Sequence, residues 1–383
     1  MMETFLKITA LMTGIGIVLN FVLFPYLHRE KVKKGIKDLK ALIKPKDNNI
    51  TSRGRGMKIG NLVLSDFILL DGLFDDYNFK FIKKEVEVKL PQDLLDVSQN
   101  LYLENQERKE NNINPIFSDL KPYCIKSITF TREENGGEKK LCSIEIIRSS
   151  YFHSLISIKC LDDVLPDGQT IRNKYYSSII NDPYNLSPNG LNLIHGFGIN
   201  VLVQTADNKI IIAQRNKLNV ATSGGSYSIS VGEHFNEESI DETHRRDIDI
   251  KKIAVRGIYE ELGIEQEEIV DNGVKFLAIG FLPHAFQYGA VGFARVSIDS
   301  TEVWERIQMS KDGSREISDI KFVDFTLAGI VDFFKSTDVV LTQWLAGSLL
   351  ISLMEINFIT ASKIASKFQD DYWRTDFLNK LSN

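Results

Sequence analysis

Arg256-Gly257-Ile258-Tyr259-Glu260-Glu261-Leu262-Gly263-Ile264 closes a stretch that opens at Ser223, and the reading of the chain works outward from it. Apolar Ile258 and Leu262 stand four apart, the spacing of one helix face, while Glu260 and Glu261 are adjacent carboxylates. Gly263 suits a left-handed cap, after which Ile264 returns to the core. Paired carboxylates beside a packed helix suit a hard divalent cation such as Mg2+, which takes oxygen ligands and completes its shell with substrate phosphates. Upstream, Ser230-Val231-Gly232-Glu233-His234 reads as a strand entering a turn, and a charged insert from Asp241 to Lys252 follows it.

This stretch resembles the Nudix box: Gly, five residues, Glu, seven residues, then Arg-Glu-hydrophobic-x-Glu-Glu-x-Gly-hydrophobic. Arg256, Ile258, Glu260, Glu261, Gly263 and Ile264 match its back half, and Gly232 and Glu238 keep its Gly-to-Glu spacing. Ser230 to His234 resembles the family's Gly-Gly-His-hydrophobic turn. Gly257 stands where the family has its first helix Glu, and about ten extra residues separate Glu238 from Arg256. The resemblance covers roughly Leu191 to Phe334 and implies an α/β fold, a Nudix-type α/β/α sandwich with a mixed sheet. It further implies Mg2+-dependent attack of water on a nucleoside diphosphate linked to another group. In that scheme Glu260 and Glu261 hold the metal, Arg256 orients the helix carboxylates, and Glu233 or Glu238 assists. Gly232, Glu233, His234 and Arg215 would line the ligand, and Glu316 or Asp319 would supply a general base or a further metal contact. Gly257 removes about one carboxylate from that set.

The flanking sequence agrees with a sheet. Ile199 to Thr205 and Lys209 to Arg215 are β-rich runs joined at Ala206-Asp207-Asn208, a hairpin signal. Val274 to Phe281 and Ala290 to Ile298 continue the strands. Val339 to Leu353 is an apolar closing helix or a subunit interface, and Lys363 to Asn383 has an amphipathic pattern. Residues 51–185 form an α+β module of unassigned role, with strands over Leu62 to Phe74 and Phe79 to Leu90, a helix over Pro91 to Glu104, and a hairpin of Ile125 to Arg132 with Lys140 to Ile147. Within it, Arg148 to Phe152 and Arg172 to Tyr176 place cations beside aromatics, a pattern of surface packing or of base and phosphate contact. Three organisational units result: 1–50, 51–185 and 186–383.

The chain of 383 residues is 43% hydrophobic and 25% charged, a globular composition. Cys124, Cys142 and Cys160 lack metal-ligand spacing and read as buried small hydrophobes in a reducing compartment. Ile8 to Leu27 carries no charge and is long enough to cross the roughly 30 Å hydrocarbon layer. A basic cluster follows it where a signal peptide would have small cleavage-site residues, so it reads as an uncleaved anchor. Residues 1–50 hold nine Lys/Arg and four Asp/Glu, leaving 37 against 47 in the remainder. The basic collar after the span places the body in the cytoplasm at the inner membrane, in contact with lipid headgroups. The acidic body argues against a nucleic-acid polymer as partner. Ala10 and Gly14 make a small-x-x-x-small face through which spans could associate, so a homo-oligomer is expected. This layout resembles the transmembrane Nudix effectors of bacterial cyclic-oligonucleotide (CBASS) anti-phage systems, which implies a nucleotide or cyclic oligonucleotide ligand and membrane disruption. A membrane-tethered Mg2+-dependent hydrolase is the alternative.

Overall fold

In the computed structural model, contacts divide the chain into Met1–Thr51 and Ser52–Asn383. The described residues are 57–59, 62–64, 67–72, 78–88, 90–111, 115, 123–132, 140–183, 186, 196–217, 224–234, 249–336 and 340–367. The expected anchor, its basic collar, Glu238 and the tail beyond Lys367 lie outside them. Among the described residues no helix is long and apolar enough to cross a membrane.

The second unit is mixed α/β. It begins with β1 (Met57–Ile59), β2 (Leu62–Leu64), β3 (Ile68–Gly72), β4 (Asn78–Glu87) and helix α1 (Gln92–Glu110). Then come β5 (Tyr123–Arg132), β6 (Lys140–Arg148), α2 (Tyr151–Lys159) and α3 (Ser177–Asn181). The second half runs β7 (Gly196–Gln204), β8 (Lys209–Arg215), β9 (Tyr227–Ser228), β10 (Val231–His234) and α4 (Ile250–Leu262). It closes with β11 (Lys275–Leu282), β12 (Gln287–Arg295), α5 (Ser300–Ile307), α6 (Gly313–Glu316), β13 (Ile317–Asp324), α7 (Leu327–Ser336), α8 (Gln343–Glu355) and α9 (Ala361–Lys367).

Eleven of the described strands form one mixed sheet, with the path β3-β11-β12-β7-β5-β6-β4. The pairs β12–β7 and β4–β6 are parallel; the others are antiparallel. This sheet runs across the expected boundary at 185/186, since β5 meets β7 at Cys124–Gly196 and β3 pairs β11. The hairpin of β5 and β6 forms as its sequence indicates.

The β7–β8 pair departs from the expected hairpin. The turn is there, with Asn208 in the left-handed region (φ 62°), but the two strands match only at Gln204 and Ile210 before they part. Ser230, fully buried, explains the parting: its hydroxyl accepts from the Val203 N–H at 2.8 Å and donates to the Ile211 carbonyl at 2.5 Å. One side chain thereby takes the place of a ladder rung and keeps two buried backbone groups satisfied. Beyond it, β8 pairs β13 and β9, while β10 takes the vacated edge of β7 over Gly198–Val201. The sheet therefore forks at β7, with one edge lined continuously by β12 and the other shared in turn by β5, β10 and β8.

Side-chain alternation puts helices on both faces. Gly257 of α4 meets Val231 and Glu233 of β10, whereas Trp344 of α8 meets Gly289, which shares the register row of Gly198 and His234, one residue out of phase with Glu233. Helix α8 is buried from Gln343 to Leu353, which is why its sequence is apolar on every side. Its Gly347 admits the fully buried ring of Phe67, which meets Trp344 edge-on at 5.4 Å. The three cysteines are free and buried, as their isolation in the sequence suggests.

Replacing Ser230 by Ala strands the Val203 N–H and the Ile211 carbonyl without water. Urea denaturation should show a loss of about 2–3 kcal/mol; a loss under about 0.5 kcal/mol, the range of an ordinary surface substitution, would show that the serine does not hold the fork.

Candidate functional site

Helix α4 ends as its sequence indicates but begins at Ile250, inside the run Asp241 to Lys252 that reads as a charged insert. Asp249 caps its start by accepting from the Lys251 and Lys252 N–H groups, and Gly263 ends it at φ 69°, donating to the Tyr259 carbonyl. The last carbonyls are held from outside: Asp312 N–H donates to Glu260 O at 2.9 Å, and Ser310 Oγ to Glu261 O at 2.9 Å. A Cβ at Gly313 would stand 2.0 Å from Glu261 O, so only glycine lets this segment lie against the helix end. The end of α4, and with it both carboxylates, is clamped.

Glu261 points back to β10, where its Oε1 accepts from the Gly232 N–H at 3.0 Å. Burial raises its pKa to about 8, reinforced by the charges of Glu233 and Glu316 and opposed by the Gly232 hydrogen bond and Arg215. Glu260 turns outward to Lys311 Nζ at 2.7 Å and lies 3.7 Å from Arg256 Nε. Arg256 also donates through Nη2 to Glu233 Oε2 at 3.0 Å. Glu233 has only 15% of its side chain exposed, and burial lifts its pKa to about 7 despite Arg256, with Glu260 and Asp312 adding to the rise.

Arg215, at the end of β8, supplies a positive charge that acts on both Glu261 and Glu316, and its Nε is enclosed with no hydrogen-bond partner among the described residues. Glu316 ends α6, where burial raises its pKa against the pull of Arg215 and Arg315. His234 leaves the group: it points to the other face of β10, its Nε2 3.4 Å from Gln287 Nε2. The structure thus gathers Arg256, Glu260, Glu261, Glu233, Gly232, Arg215 and Glu316 around the fork, with His234 on the other face of β10 but still within the field of Arg215.

Lys311 and Asp312 carry no signal in the sequence, because they reach α4 from the segment after α5. Tyr151 begins α2 inside the 51–185 region, and its charge environment includes Arg215 and Glu316. Only the Arg148 to Phe152 pattern of cation beside aromatic had marked that place.

The donor chemistry suits a hard cation, as carboxylate oxygens do. The arrangement does not: among the described residues no three His, Cys, Asp or Glu side chains converge closely enough to hold a metal ion, and Glu233, Glu260 and Glu261 are each engaged by a protein N–H donor.

No family model matches the sequence, and no curated protein matches it. Among solved structures, the chain is similar to DR0079 from Deinococcus radiodurans, at 14% identity over 37% of this chain and 73% of that one, with a TM-score of 0.26. It is similar also to Tm1382, a candidate Nudix hydrolase, at 13% identity over 43% of this chain and 72% of that one, again with a TM-score of 0.26. Similarity at this level assigns no family.

A carboxyl whose folded pKa is raised binds more protons in the native state than in the unfolded one, so its contribution to stability is full below the unfolded pKa near 4.5 and is lost as pH rises through about 8. Stability should therefore fall by on the order of 2–3 kcal/mol between pH 6 and pH 8.5. Glu261→Gln should flatten that slope in denaturation titrations; an unchanged slope would mean that Glu261 ionises freely in the folded protein.

Proposed function

We propose that this protein is a membrane-anchored effector of a CBASS-type anti-phage system, whose cytoplasmic Nudix-like region binds a nucleotide signal and acts on the inner membrane through the segment Ile8–Leu27. The observation that carries the binding half of this reading is the clamped acidic helix end at the sheet fork, beside Arg215, whose enclosed Nε has no hydrogen-bond partner among the described residues. A phosphate group supplies the acceptor that such a nitrogen lacks. The membrane half is supported by the uncharged run from Ile8 to Leu27 and its basic collar. Assembly of the ligand-bound body into a homo-oligomer would bring the spans together through the Ala10/Gly14 face. A second reading, a tethered Mg2+-dependent nucleoside diphosphate-X hydrolase, is favoured by one observation, the presence of three carboxylates of hard-ligand type on α4 and β10.

Full-length protein in detergent, incubated with linear and cyclic nucleotides, separates the two. The effector reading predicts a ligand-dependent rise in melting temperature and oligomer size without product. It also predicts that deletion of Met1 to Leu27 abolishes toxicity on expression and leaves ligand binding intact. Release of phosphate or nucleoside monophosphate that disappears in Glu260→Gln/Glu261→Gln would instead establish the hydrolase, and toxicity that survives the deletion would overturn the effector.

A further inference from the structure

Gly257 sits in the interior of α4, between Arg256 and Ile258, where glycine costs about 1 kcal/mol relative to alanine. Nothing in the helix geometry calls for it, since its backbone is not in the left-handed region. The reason lies across the gap. A Cβ at position 257 would stand 2.4 Å from Glu233 Cγ, 2.8 Å from Val231 Cγ1 and 3.1 Å from Glu233 Oε1. The slot that a side chain at 257 would use is filled by the side chain of Glu233, so the two positions cannot both carry one. The carboxylate beside Arg256 is therefore supplied from the strand, by Glu233, and the helix at 257 contributes none.

Its place on the strand sets what this carboxylate faces. Reaching from β10, Glu233 meets Arg256 Nη2 at 3.0 Å, and Arg256 Nε lies 3.7 Å from Glu260 Oε2, so one guanidinium stands between the two carboxylates. Lys311 Nζ takes the remaining oxygen of Glu260 at 2.7 Å, and the Gly232 N–H takes Glu261. Burying a carboxylate costs several kcal/mol unless it is paired, and here the Arg256 guanidinium supplies the partner that offsets the cost. We infer that in this chain a carboxylate supplied from position 233, with glycine at 257, makes Arg256 a built-in cation in place of a divalent ion, so that the pocket takes its phosphate ligand without metal. This deepens the binding reading of the same site and rests on it.

The test uses the full-length protein in detergent and Mn2+ alone as probe, read by melting temperature and by calorimetric titration. The wild type should show no Mn2+-dependent rise. The double variant Glu233→Gly/Gly257→Glu should gain a rise of about 3 °C or more at saturating Mn2+. Arg256→Gln, which removes the internal cation and leaves position 257 alone, should gain a response of the same kind and keeps the question open to measurement should the double variant not fold. A wild-type response of that size abolished by Glu233→Gln would overturn the inference, by making Glu233 a metal ligand. A folded double variant, or a folded Arg256→Gln, that ignores Mn2+ would overturn it as well. Failure of the binding reading shows elsewhere, as absence of any nucleotide-induced melting shift in the wild type with or without chelator.

Discussion

Ser230 decides where everything else can go. Its hydroxyl stands in for a rung between β7 and β8, holding the Val203 N–H on one side and the Ile211 carbonyl on the other, so the sheet can split without leaving buried backbone groups unpaired. Because the split frees an edge of β7, β10 can pair there, in a register that sends Glu233 toward α4 and His234 toward α8. A shift of one residue would exchange those two side chains between faces. The position of the acidic cluster is thus a consequence of one buried hydroxyl.

The clamping of α4 has the same local character. Its C-terminal carbonyls are not left to solvent but are taken by Asp312 N–H and the Ser310 hydroxyl, across a contact that Gly313 alone makes close enough. A helix end held this way loses the fraying that would let Glu260 and Glu261 wander. Pre-orientation of side chains by such secondary contacts is what binding sites generally require, and here it is achieved by backbone and hydroxyl groups, with the exposed Lys311 pair adding little on its own.

Local features were legible in the sequence and pairings across the chain were not. The Gly263 cap and the buried face of α4 follow from spacing within a dozen residues, and the β5–β6 hairpin from its two β-rich runs. The parting of β7 from β8 was not readable, because a good turn at Asp207-Asn208 says nothing of a serine twenty residues later. Nor was the joining of β5 to β7, which merges the 51–185 region with the rest of the sheet through contacts remote in sequence. Gly257 was readable only as a missing carboxylate. That its absence makes room for Glu233 is a statement about two side chains 24 residues apart, and needs the fold.

Anomalous scattering from a crystal of the wild-type protein soaked in Mn2+ would test the central claim most directly. The account predicts no manganese peak among Glu233, Glu260 and Glu261, with the Arg256 guanidinium lying between Glu233 and Glu260. A peak at oxygen-ligand distance, roughly 2.2 Å from two or more of those carboxylates, with Arg256 swung aside, would contradict it.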